Sequence, residues 1–253
     1  MEYFPHGDLE RFLGQNFSEL ETSRIASQVA KGLGFMHRYN FIHRDLKPGV
    51  SYYTASLFSW TLMFLPSMLA PAPANSETKN LLVFEKPPEK EWWVKISDFG
   101  ISKRSTDGNE KYSTVIGTHE YMAPEIHFRG RGDKASYTVA ADMWSLGALC
   151  VRMMTGKPAF DPAELFGYYR QGQAFVPEHA LKSNGTSQDG RNFIREIMGP
   201  VPQLRLSAQE AAKHPWTTFS YQSLRDINEP SRYGRHILPS KYNVTCSCLP
   251  PLS

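Results

Sequence analysis

Five short strings in this 253-residue chain carry the residue types that can do chemistry. They are HRDLKP at 43–48, KISDFGISK at 95–103, GTHEYMAPE at 117–125, DMWSLG at 142–147 and LRLSAQEAAKHPW at 204–216. The first sets the carboxylate of Asp45 between the cations Arg44 and Lys47, and the second adds Asp98. Carboxylates among cations suit chemistry that runs on positioning and charge neutralisation. The first string is also interrupted. After Gly49 comes VSYYTASLFSWTLMFLPSMLAPAPANSETK, residues 50–79, before NLLVF begins at Asn80.

The bulk composition limits what the strings can mean. With 41% hydrophobic and 21% charged residues the chain reads as an ordinary globular protein with ample core. A net charge of +3 is too small to argue for nucleic acid. Cys150, Cys246 and Cys248 form neither a disulfide framework nor a zinc spacing, so a reducing, cytoplasmic or nuclear location is expected. The start MEYFPHGDLE is acidic and has no apolar run, so no signal peptide is expected there. Only the interruption looks membrane-like, with no charge from Gly49 to Ser76 and an apolar run from Leu57 to Leu69. Pro66, Pro71 and Pro73 break its second half and no basic cluster flanks it, so no membrane span is expected.

In this order, the five strings resemble the eukaryotic serine/threonine protein kinases over residues 1 to 216, the interruption excepted. Phosphoryl transfer asks little covalent chemistry of a protein. The resemblance implies ATP and Mg2+ as cofactors, a protein substrate and a monomer. It implies that Asp45 handles the proton of the substrate hydroxyl and that Lys47 supplies charge at the transferring phosphate. Asp98 and the loop asparagine would hold magnesium. Thr118 matches the threonine that bonds to the catalytic aspartate and lysine, and Lys47 with Thr118 favours serine/threonine over tyrosine. Asp142 resembles the helix aspartate that ties down the HRD backbone. Glu125 and Arg205 match a buried ion pair, and His43 and His214 read as packing residues. LSAQEAAKHPW is closest in character to calmodulin-dependent and checkpoint-type kinases.

The expected fold is mainly α with a small β-hairpin: a protein-kinase-like C-terminal lobe, its N-terminal lobe absent. Ile25, Val29, Leu33 and Met36 share one helical face. LLVF and WWVKI read as a strand pair around a proline turn. Ala140 to Met154 is apolar nearly all round, and Pro162, Asp189–Met198 and Ser207–Lys213 mark further helices. MEYFPHGD, residues 1–8, resembles the hinge between kinase lobes. There Glu2 and Phe4 would meet adenine, Asp8 the ribose, and Leu82 would lie under the base. Residues 9–49 and 80–220 form the lobe, and 221–253 a tail.

Five residues after Asp45, where the family carries its asparagine, stands Val50. Removing residues 50–79 gives HRDLKPGNLLVF and puts Asn80 there. Valine codons begin GT and lysine can end AG, so the insert reads as an in-frame retained intron, a genuine family insertion being the alternative. Two functions compete: a kinase lobe inactive by itself, and a pseudokinase-like scaffold. The intact Asp45, Lys47, Asn80, Asp98 and Thr118 favour the kinase. Arg44 beside Asp45 is expected to pair with a phosphate on Thr114, four residues before Thr118.

Overall fold

The computed structural model of the protein describes residues 3–14, 17–47, 80–98, 103–104, 119–128, 137–173 and 175–218. Glu2, Thr114, Thr118, the insert at 50–79 and the tail at 221–253 lie outside the described residues.

Helix α1 (Glu19–Arg38) begins at a reciprocal cap. Ser18 Oγ accepts from the Glu21 N–H at 3.2 Å, and the Glu21 carboxylate accepts from the Ser18 N–H at 2.9 Å. Two donors that a helix start leaves open are thereby satisfied. Its Ile25, Val29, Leu33 and Met36 stripe is buried, as a 3.6-residue period demands. Asn40, at φ 59, turns the chain into β1 (Phe41–Ile42). Asparagine tolerates that left-handed conformation better than most residues.

Strands β2 (Leu81–Glu85) and β3 (Trp93–Ile96) form an antiparallel hairpin, with Leu81 across from Ile96 and Leu82 across from Lys95. Helix α1 supports it through one side chain. The Gln28 amide donates to the Trp92 carbonyl at 2.8 Å and accepts from the Val94 N–H at 3.0 Å, standing in for a third strand. Trp92 lies against Phe12 and Phe17, with ring centres 5.3 and 5.0 Å away, and donates to Glu21. A second short pair joins β1 to β4 (Lys103–Arg104), Ile42 facing Lys103.

The rest is helical: α2 (Pro124–His127), α3 (Val139–Thr155), α4 (Pro162–Arg170), α5 (Glu178–Ser183), α6 (Gln188–Ile197) and α7 (Ala208–Ala211). Helix α3 runs through the core, with Trp144, Leu146, Leu149 and Met153 all buried. It ends at Gly156, whose φ of 68 suits a glycine after a helix. Gly147 lets α6 approach, since a Cβ there would collide with Met198 and meet Ile197. Asp161 caps α4 with Pro162 in its first turn, and Ser207 with Glu210 repeats the reciprocal cap at α7. Hydrogen bonds from Ser207 also hold the Glu210 carboxyl below its usual range.

Most expected elements are present within a residue or two. The exceptions are short. The helix expected over Ser207–Lys213 is a single turn that passes into further turns. Helix α5 was not anticipated, because it is six residues long, lacks a side-chain cap and follows Pro177. The β1–β4 pair, two residues a side, carries too little periodicity to be seen in sequence.

Arg205 fastens α2 to the core helix α3. It meets Glu125 through two 2.7 Å contacts, donates to the carbonyls of Gly199 and Ala140, and lies 5.1 Å over the Trp144 ring. Its side chain is fully buried. Arg205→Met should therefore lower the unfolding free energy by about 3–5 kcal/mol, because it strands the Glu125 carboxylate. Urea denaturation measures this, and adding Glu125→Gln to the variant should recover part of the loss.

Candidate active site

The site is built on a buried carboxylate. Asp142, in the first turn of α3 and 1% exposed, accepts from the backbone N–H of His43 and of Arg44, each at 2.9 Å. His37, near the end of α1, donates to the same carboxylate at 2.9 Å. Burial alone would raise the Asp142 pKa, but the hydrogen bond and charge of His37, helped by His43, bring it below the usual carboxylate value. The segment 43–45 can then hold a conformation it would not choose freely. Arg44 sits at φ 74, in the left-handed region.

His43 is wholly buried, and its Nε2 donates to the Ser97 carbonyl at 3.1 Å. It is a packing and tethering residue, as its sequence context suggested. The tether matters because Ser97 precedes Asp98. The Ser97 N–H donates to the Asn80 carbonyl at 2.8 Å, which sets the start of β2 beside the residue leading into Asp98, itself at φ 57.

Asp45 is 7% exposed. Its Oδ2 lies 3.0 Å from Lys47 Nζ and 3.1 Å from Asn80 Nδ2. The same Asn80 amide donates to the Asp45 backbone carbonyl. Asp45 and Asn80 are thus joined twice, although thirty-five positions of chain separate them. Two oxygens are left over. Asp45 Oδ1 and Asn80 Oδ1 are both buried and have no hydrogen-bond partner. Buried acceptors without partners are costly, and in native sites they mark a place for a ligand, ion or water. An amide oxygen beside carboxylates is a hard donor set that fits magnesium. Among the described residues no three His, Cys, Asp or Glu side chains cluster as a metal site.

A small recess of about 20 Å³ opens beside Asp45, lined among others by Arg44, Tyr121, Tyr137 and Ser145. The Arg44 guanidinium lies 4.7 Å over the Tyr137 ring. Tyr121 is buried, and burial followed by the charges of Glu10 and Glu120 pushes its hydroxyl pKa up. Glu10 is raised as well, first by burial, with Arg152 opposing and Glu120 and Asp8 adding. Sequence reasoning missed Gln28, Tyr137 and the Glu10–Arg152 neighbourhood. No string marks them: Gln28 braces the hairpin, Tyr137 lines the recess, and Glu10 and Arg152 act on Tyr121 through their charges.

Asp8 is buried, bridges by backbone to Leu82, and faces Arg11 at 3.4 Å. Phe4 meets Phe84 edge to face at 6.2 Å. Phe4, Asp8, Leu82, Asp45, Lys47, Asn80 and Asp98 are therefore carried by the loop, the hairpin and the segment joined to it. Glu125 and Arg205 stand apart from this group, as a structural pair.

The protein kinase domain profile matches residues 1–49 and 77–217. The chain belongs to the protein kinase domain family. Among its relatives, the serine/threonine-protein kinase PLK4 of Aedes aegypti is 27% identical over 89% of this chain and 24% of its own length. The calcium/calmodulin-dependent protein kinase type 1 of Caenorhabditis elegans is 28% identical over 90% of this chain and 55% of its own. The chain thus spans about a quarter to a half of these kinases. The Rad53 kinase domain in complex with AMPPNP superposes with a TM-score of 0.59 at 25% identity, covering 93% of this chain and 71% of that one. The fold is kinase-like, helical with few strands. No helix among the described residues is long and apolar enough to cross a membrane.

Asp142 makes the acid limb of stability predictable. Its folded pKa lies below the ordinary 3.8, so the stability it contributes is complete above that value and is lost as pH falls below it. Asp142→Asn should lower stability at neutral pH by about 2–4 kcal/mol and flatten the decline below about pH 4. Urea midpoints measured across that range for both proteins check it.

Proposed function

We propose that this chain is the catalytic C-lobe of an ATP-dependent serine/threonine protein kinase, transferring the γ-phosphate to protein hydroxyls in the intact enzyme. The observation that carries the reading is the pair of buried, unpartnered oxygens on Asp45 and Asn80 beside Lys47. Asp45 Oδ1 is free to accept the substrate hydroxyl proton while Oδ2 stays fixed by Lys47 and Asn80. Lys47 neutralises charge at the phosphate. Asn80 and Asp98 would hold magnesium, which when bound would supply positive charge to offset that of the phosphates. Phe4, with Glu2, would border adenine, Asp8 the ribose, and Leu82 the face of the base. Thr118 would bond to Asp45 and Lys47. A protein substrate and an intracellular monomer complete the proposal.

The pseudokinase-like alternative has no use for this pair of oxygens. Residues 50–79 are proposed to be translated intron. The family match pauses between 49 and 77, and Asn80 still meets Asp45 with the insert present. Deleting 50–79 should raise solubility and leave the lobe folded; a deletion variant that fails to fold while the parent folds overturns this.

The 253 residues contain no glycine-rich phosphate loop, strand lysine or helix glutamate of the family type. Alone, the chain should phosphorylate a generic peptide at no measurable rate. With residues 50–79 removed and a kinase N-lobe fused before Met1, activity should appear and fall by about 10³-fold or more in Asp45→Ala. In the same assay Thr114→Ala should lower activity, since a phosphate there would pair with Arg44. Turnover by the parent chain alone, or activity that survives Asp45→Ala, contradicts the reading.

A further inference from the structure

Lys95 stands directly across the hairpin from Leu82, so the two side chains rise from the same face. Its ammonium lies 5.2 Å from the centre of the Trp93 ring, 5.9 Å from Phe84 and 6.0 Å from Phe4. Each distance is within the reach of a cation–π contact. The rings also meet each other, Phe84 with Trp93 at 4.9 Å and Phe4 with Phe84 at 6.2 Å, both near-perpendicular. One cation therefore touches an aromatic residue from β2, another from β3 and a third from the segment before Asp8.

The backbone shows why that matters. Val83 N–H donates to the Gly7 carbonyl at 2.8 Å, Asp8 bridges to Leu82, and Gly7 N–H closes a turn onto the Phe4 carbonyl at 3.2 Å. These bonds fix residues 7 and 8 on the hairpin but leave Phe4 at the end of a turn. The Phe4 ring meets Phe84 and the Lys95 ammonium. We infer that Lys95 is a positioning residue for the nucleotide base, stapling the Phe4 segment to the Leu82 face of the hairpin. The inference rests on the reading above, in which Phe4 and Leu82 border the base. Lys95 acts through the rings and not through the phosphates, so its effect must depend on the base.

NMR titration of the full chain with MgADP, and separately with magnesium tripolyphosphate, tests this in the parent, Lys95→Met and Lys95→Arg. Methionine keeps the stem and removes the charge. Lys95→Met should bind MgADP about fivefold more weakly, bind tripolyphosphate as the parent does, and exchange its Val83 amide faster. Lys95→Arg should restore both. Equal MgADP affinity in the parent and Lys95→Met overturns the positioning role. So does parallel loss of both ligands, which would mark a general structural defect. A parent that binds tripolyphosphate but shows no preference for MgADP overturns the nucleotide-site reading, and the role of Lys95 with it.

Discussion

Everything at the site depends on one buried carboxylate holding two consecutive backbone N–H groups. Asp142 is supplied by the core helix α3, and it fixes the segment from His43 to Arg44 against that core. Without it the left-handed Arg44 would be a strained residue on a short strand end. With it, Asp45 leaves the segment at a set angle and meets Lys47 and Asn80. Burying a charge is expensive, and His37 with the two amides offsets the cost. The buried aspartate thus holds the geometry of the segment while contributing to stability at neutral pH.

The second dependency runs through the hairpin. Its start carries Asn80, its end leads into Asp98, and its middle carries Leu82. Helix α1 braces it with Gln28, His43 ties Ser97 to the catalytic segment, and residues 7 and 8 join its edge. Two metal-site candidates and the face proposed to meet the base therefore share one small sheet. The Asp45–Asn80 contacts are in place with residues 50–79 present in the chain, and the Asn80 carbonyl is held by the Ser97 N–H that follows β3.

Much of this was legible in the sequence, and the reason differs by residue. Asp45, Lys47, Asp98, Glu125 and Asp142 lie in strings dense enough to be read in order. Asn80 was legible only after the insert was subtracted. The long helices announced themselves through Ile25–Met36 and Ala140–Met154, whose apolar spacing is strong. What stayed hidden has a common physical character. Gln28, Tyr137 and Lys95 act across the fold, through contacts that no local pattern encodes. Helix α5 and the β1–β4 pair are too short for periodicity to register.

The central claim is that Asn80, thirty-five positions from Asp45, completes one magnesium-dependent nucleotide site with it. Calorimetric titration of ADP into the full chain, with and without magnesium, tests it most directly when parent and Asn80→Ala are compared. The account predicts that magnesium strengthens ADP binding to the parent and that Asn80→Ala removes this enhancement while leaving the magnesium-free affinity unchanged. A magnesium enhancement of equal size in Asn80→Ala, or none in the parent, would contradict it.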